Sequence, residues 1–369
     1  MQPAAPVTTS SELLQALNSL AAGDFVALDT EFMRESTYFP KLCLIQAATA
    51  DACVLFDPLA LPDLQPLWNF LNDRRRIKVL HAARQDLEVM SVSMRDTVLN
   101  GPIFDTQIAG ALLGHPAQAG YGALVAARLE HTLDKGHTRT DWSRRPLSLE
   151  QLQYAEDDVR YLVPLYLNLR DALEEAGRTQ WLYEDTRELE DPTLHRTEPE
   201  AAWKRLKGLD RMRPEQRATA KLLAQWREEA AIKHDKPRGW ILADDALRDI
   251  ADRMPSELAD LETIRNLPAG VVKRRGTELL ALIERGRELG PSEPPIFLPP
   301  RPEPQQLALV TKLMNFARTH AEELKISPEL LATRRDVEQL VFSRRTDRLG
   351  NGWRKDVIGD RLVAKMKEG

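Results

Sequence analysis

The chain has 369 residues, too many for one average domain, so two or three are expected. Apolar residues make up 43% of it, enough for full cores, yet no window nears the ~18 uninterrupted apolar residues of a membrane span. Net charge is −5, but it is unevenly spread: residues 1–200 carry −12, 201–290 carry +4 and 301–369 carry +4. The acidic first half suits a cation-dependent site, and the basic second half suits a polyanion.

The opening MQPAAPVTTSSELLQAL has no basic region followed by an apolar stretch, so no signal peptide is expected. The next features are three apolar runs, FVALDTEF (25–32), KLCLIQAAT (41–49) and ACVLFDP (52–58). The second and third lie too close together to hold a helix between them, which makes them antiparallel neighbours. They contain the two cysteines, Cys43 and Cys53, without metal-type spacing; buried free thiols in a reducing, cytoplasmic setting are expected. A helix is expected near 62–72, a strand at KVLHAA (78–83), a helix from Arg84, and further helices near 105–114, 121–130 and 148–176. Strands followed by alternation with helices read as a mixed α/β sheet covered by helices.

The acidic stretch 185–200 lacks periodicity and reads as a linker. PSEPPIFLPPRPEP (291–304) has seven prolines and reads as a semi-rigid linker. Between and beyond them lie two related segments. Shifted by 90 residues, 226–251 lies without a gap over 316–341, pairing Trp226 with Phe316, Leu247 with Val337 and Ile250 with Leu340. Helical spacing at both ends, with a loop holding Pro237 or Pro328 between, describes two small all-helical repeats. The expected domains are 1–195, 205–290 and 305–369, with 291–304 as linker.

The chemistry resides in the acids. On a strand, Asp29 and Glu31 share a face. Two carboxylates there repel and lose solvation, a cost that a divalent cation offsets. Asp86 lies in the first turn of the helix after KVLHAA. It borders the stripe of Leu87, Met90 and Met94 more closely than Glu88 does, although an acid there also complements the helix dipole. In SLEQLQYAEDDVRYLVPLYL, Ser148 and Gln151 form a capping-box start, and Leu152, Ala155, Val159, Leu162 and Tyr166 form the core stripe. At ~100° per residue, Asp158 and Tyr154 fall together beside that stripe, while Asp157 projects into solvent.

In order and spacing these motifs resemble the DEDDy 3′–5′ exonucleases, which have a ribonuclease H-like α/β fold. ALDTEFMRESTYFPKLCLIQ, HAARQDLEV, FDTQIAGALLG and TLDKGHTRTDWSRRPLSLEQLQYAEDDVRYL resemble the ribonuclease D family over residues ~20–180. The repeats resemble its paired HRDC domains, the second mainly through the first. Gln153 stands where the histidine branch of these exonucleases has its histidine.

The resemblance implies catalytic and metal roles for Asp29, Glu31, Asp86 and Asp158, with Tyr154 orienting the attacking water. Two divalent ions, Mg²⁺ or Mn²⁺, would bind: Asp29 bridging, Glu31 and Asp158 on the first, Asp86 helping to hold the second. Phe32, Gln85, Arg139, Trp142 and Arg144 are candidate substrate contacts, although 139–144 also reads as a loop capping the active-site helix. Lys204, Arg205, Lys207, Arg211 and Arg213, with Lys273, Arg274 and Arg275, are candidate nucleic-acid contacts; a solvated helix face is the other reading. The implied activity is release of nucleoside 5′-monophosphates from RNA 3′ ends, in tRNA precursors above all, by a monomer without a membrane or an obligatory protein partner. A 3′–5′ exonuclease acting on DNA and a non-catalytic RNA-binding protein stay open as alternatives.

Overall fold

The computed structural model describes residues 3–95, 99–133, 140–191, 198–294 and 302–368. The chain divides into two compact units, one of Met1–Met33, Leu42–His195 and Arg301–Gly369, the other of Arg34–Lys41 and Arg196–Pro300.

The first unit is built on a sheet. Helix α1 (Ser10–Leu20) starts at a capping box made by Thr9 and Glu12. Then come β1 (Phe25–Met33), β2 (Lys41–Ala48), β3 (Cys53–Phe56), α2 (Gln65–Leu71), β4 (Ile77–Leu80), α3 (Arg84–Ser93) and β5 (Ile103–Asp105). The strand order is β3-β2-β1-β4-β5. As their spacing requires, β2 and β3 are antiparallel, with Ile45 opposite Phe56. Strand β4 runs parallel to β1 and to β5. Helices α4 (Thr106–Leu112), α5 (Tyr121–Leu129), α6 (Leu149–Arg160), α7 (Leu162–Glu175) and α8 (Thr179–Thr186) complete the α/β part.

Three local expectations need correction. The helix expected over 148–176 breaks at Tyr161, between α6 and α7. Pro164 explains the break, because it has no N–H for the Arg160 carbonyl and its ring crowds that carbonyl. Strand β5, just ahead of the helix expected near 105–114, was not foreseen, since three residues are too few to show alternation. The acidic stretch from 185 is not a linker as far as Glu190: α8 runs to Thr186 and a 3₁₀ turn covers Arg187–Glu190. Its acids have partners distant in sequence, with Glu184 accepting the Trp353 N–H at 2.8 Å and Asp185 paired with Arg354. Half of the proline-rich stretch, residues 295–301, lies outside the described residues.

The second unit holds α9 (Pro214–His234), α10 (Arg238–Ile241), α11 (Asp244–Arg253), α12 (Leu258–Glu262) and α13 (Ala269–Leu289) around Leu223, Leu247, Ile250, Leu279 and Ile283. The first unit ends in α14 (Pro304–Leu324), α15 (Pro328–Leu331) and α16 (Arg334–Ser343), each 90 residues beyond α9, α10 and α11 at both ends. Even the left-handed caps recur, at Asp235 and Met254 and again at Lys325 and Arg344. The repeats part company after Arg344, where 3₁₀ and π turns lead to a last helix, Asp360–Lys367.

This C-terminal repeat shares its core with the sheet. Val310, Leu313, Leu340 and Leu362 are buried in one cluster with Phe25, Val79, Phe104 and Tyr166. Trp353 stacks on Trp181 with ring centroids 4.4 Å apart. Arg178 donates to the Leu112 carbonyl at 2.6 Å and to that of Leu324, tying α4 to α14.

Candidate active site

Strand β1 alternates between two cores. Phe25 and Ala27 face the cluster with α4, α5 and α7, and Val26 and Leu28 face the cluster with α1, α2 and α3. Continuing that period places Asp29 and Glu31 on the first face and Thr30 and Phe32 on the second. Pairing between β1 and β4 ends at Ala27 and Val79, so the two acids extend beyond the last pair. Helices α3 and α6 close in at this carboxyl end of the strands, the usual ligand position in open α/β sheets.

Helix α6 is set by its first turn. The Gln151 N–H donates to Ser148 Oγ at 3.2 Å, and the Ser148 N–H donates to Gln151 Oε1 at 2.9 Å. Leu152, Ala155 and Val159 are buried as the stripe requires. Tyr154 and Asp158 then face β1. One carboxylate oxygen from each of Asp29, Glu31 and Asp158 lies within 4.8 Å of the others. Asp86 is buried in the first turn of α3 and accepts from the Thr30 hydroxyl at 2.5 Å. Thr30 thus links α3 to the residue between the two strand acids.

These acids hold protons unusually well. Burial, then the charges of Asp86, Asp158 and Glu31, puts Asp29 well above the usual carboxylate range. Burial, with Asp158 and Asp86 nearby, pushes Glu31 up to about 8. Asp158 rises to about 7, chiefly through burial and against the lowering effect of its hydrogen bond from Tyr154. Burial raises Asp86 to about 6, opposed by Thr30. Burial, and then Asp158, Glu31 and Asp29, keeps the Tyr154 hydroxyl protonated. Four crowded carboxylates cannot all ionise without compensating charge. Their donor atoms are all oxygen, which fits a hard divalent cation that keeps part of its water shell.

Asp157 is half-buried rather than solvent-facing. It accepts from Gln153 Nε2 at 3.0 Å and lies 3.7 Å from Arg160. Its neighbour Glu156, unremarked in the sequence, is buried and accepts from the Ala4 N–H and from Arg160.

The candidate substrate contacts separate. Trp142 is 2% exposed, packed in a core with Cys43, Leu55 and Leu147, its ring 6.1 Å from that of Tyr154. It cannot touch RNA, and its place is behind the tyrosine. Arg144 is exposed and paired with Asp141 at 3.1 Å. Gln85 is exposed beside Asp86, and Phe32 is half-buried against the α1–α3 core. Arg139 lies outside the described residues. In the helical unit Lys204, Lys207, Lys273 and Arg274 are exposed. Arg205 pairs with the buried Glu228 at 3.3 Å, and Arg275 with Glu278 at 3.1 Å.

Thr30, Tyr121 and Asp105 were not among the residues expected at the site. Thr30 could have been found, since strand alternation turns it toward α3. Tyr121 reaches Asp157 only through tertiary packing and has no local signal.

A family model described as 3′–5′ exonuclease matches residues 4–174, and an HRDC domain model matches residues 216–283. Ribonuclease D of Nitrobacter hamburgensis is 38% identical, over 98% of this chain and 95% of its own. Ribonuclease D of Pseudomonas paraeruginosa is 36% identical, over 98% of this chain and 97% of its own. The crystal structure of Escherichia coli RNase D, described as an exoribonuclease involved in structured RNA processing, superposes with a TM-score of 0.88 at 31% identity, covering 100% of this chain and 99% of that one.

Proposed function

Because the chain belongs to the ribonuclease D family, hydrolases that act as 3′–5′ exoribonucleases, we propose that Asp29, Glu31, Asp86 and Asp158 are its metal ligands and Tyr154 its water-positioning residue. The observation that carries this reading is the meeting of three carboxylate oxygens, on half-buried residues, within 4.8 Å of one another. Two divalent ions bound there, Mg²⁺ or Mn²⁺, would supply Lewis-acid activation of water and neutralise charge at the scissile phosphate. Asp29, nearest the centre of the mutual repulsion, is the natural shared ligand. Glu31 and Asp158 flank it, and Asp86 adds charge from α3. The protonated Tyr154 hydroxyl can donate a hydrogen bond but is a poor base near neutrality, so it orients the nucleophile rather than deprotonating it.

The products would be nucleoside 5′-monophosphates, released one at a time. Structured RNA with a 3′ tail is the substrate class, tRNA precursors first among them. Support comes from the family and from the printed description of the Escherichia coli relative. The exposed Lys204, Lys207, Lys273 and Arg274 would contact the phosphates of the RNA body. Two free cysteines accord with a reducing, cytoplasmic setting. The full set of four acids and the tyrosine speaks against a non-catalytic RNA binder.

The test is incubation with a 3′-extended tRNA and a matched single-stranded DNA, with Mg²⁺ or with chelator. Stepwise shortening of the RNA with release of 5′-monophosphates, stopped by chelator, is expected. Preferential loss of the DNA would reassign the substrate, and intact but bound RNA would reassign the protein to the binding class.

A further inference from the structure

Helix α3 carries Asp86 but has no side-chain cap of its own, because its N-cap position is Ala83. The residue before, Ala82, has φ 54°, a left-handed conformation that crowds the Cβ of a non-glycine residue. Such strain persists only where the surroundings over-determine the backbone. Here they do. Asp105, at the end of β5, is 4% exposed. Its Oδ1 accepts from the Ala82 N–H at 3.1 Å and its Oδ2 from the Ala83 N–H at 2.9 Å. The same Oδ1 caps α4, accepting from the N–H groups of Gln107 at 2.8 Å and Ile108 at 3.4 Å. One carboxylate therefore holds the start of two helices.

His81 adds to the brace. Its Nε2 lies 3.1 Å from the Ala119 carbonyl, which can only accept, so Nε2 carries the proton. Its Nδ1 lies 2.9 Å from Thr106 Oγ1, and the same hydroxyl reaches the Leu80 carbonyl at 3.2 Å. The His81 ring packs against Tyr121 at 5.6 Å, and the Tyr121 hydroxyl donates to the Asp157 carbonyl at 3.3 Å, one residue before Asp158. The segment from Asp105 to Tyr121 is thus tied to the helix that carries Asp86 and to the helix that carries Asp158.

We propose that Asp105 is a positioning residue for the exonuclease reaction: by fixing the Ala82–Ala83 turn it sets where α3 delivers Asp86 relative to Asp29 and Asp158. Asp86 follows Ala83 by three residues, and a one-residue slip of α3 would turn its carboxylate by about 100°. This inference rests on reading the acidic cluster as the active site.

Asp105→Ser separates the two jobs of the carboxylate in the full-length protein. Serine still caps α4 but is too short to reach Ala82 and Ala83. The expected result is a fall in kcat and in Mn²⁺ affinity, read by electron paramagnetic resonance, of about 10- to 100-fold, the range typical of losing a residue that orients a ligand. KM for RNA and RNA binding in chelator stay as in wild type. Asp105→Asn, which keeps one acceptor and turns an amide N–H₂ toward Ala83, should show the same split. Asp185→Asn, which breaks the pair with Arg354, lowers Tm but leaves kcat and Mn²⁺ binding unchanged. Wild-type kcat and Mn²⁺ affinity in Asp105→Ser or in Asp105→Asn would overturn the proposal, whatever the Tm. Asp29→Asn run alongside should lose both activity and Mn²⁺ binding. If it keeps both, the reading of the site fails, and the brace with it.

Discussion

Asp29, Glu31, Asp86 and Asp158 each have a folded pKa above the unfolded value near 4. Between pH about 4 and about 8 these four groups therefore bind more protons in the folded protein than in the unfolded chain, and their contribution to stability falls as pH rises through that window. This sign is opposite to that of a salt-bridged carboxylate. In chelator, Tm should drop from pH 5 to pH 8, and a divalent cation should restore it most at pH 8; a Tm that rises with pH would contradict the repulsion. It follows that Glu31→Gln, expected to be inactive, raises the chelated Tm at pH 8, by about 2–4 °C for each kcal/mol of repulsion relieved. Tyr154→Phe, which keeps the ring against Trp142 and loses the donor, should cost about 10²-fold in kcat with Tm little changed. At this scale the sequence was informative where side-chain direction follows a period. Alternation put Asp29 and Glu31 together, and helical spacing put Tyr154 beside Asp158. It misled at Trp142, because an aromatic residue in a basic loop looks like a substrate contact and only packing reveals that it is core.

Helix α6 depends on its first turn for the placing of Tyr154 and Asp158. Ser148→Ala removes the acceptor for the Gln151 N–H and should cost about 1 kcal/mol in a denaturant titration. The capping box was readable from residues 148–151 alone, and so was the 90-residue repeat, whose helices start and stop in step in both copies. What the sequence hid at the element scale were features set by distant partners. Strand β5 is three residues long and exists because β4 pairs with it. The acidic run around Glu184 and Asp185 has a linker's composition, yet both acids are bound by Trp353 and Arg354, which local periodicity cannot foresee. The long apolar stripe that spans α6 and α7 reads as one helix, although Pro164 lies within it.

Across the whole molecule, the C-terminal repeat is part of the fold that supports the acidic site, since its helices share a core with Phe25, Val79 and Tyr166. Trp353 is 4% exposed, and Trp353→Ala should cost about 3–5 kcal/mol by thermal or denaturant melting. Charge also acts at this scale. The excess of +4 over 201–290 should make RNA binding fall steeply with salt, and removing Lys273 and Arg274 together should reduce the slope of log K against log salt by about two. The proposed cation site on β1 and α6 is what the other chemistry depends on. It is tested most directly by titrating Mn²⁺ into wild type, Asp29→Asn and Asp157→Asn while following shortening of a 3′-extended RNA. Asp29→Asn is expected to lose both cation binding and shortening, and Asp157→Asn to keep both. Cation binding and RNA shortening retained by Asp29→Asn would contradict the proposed site.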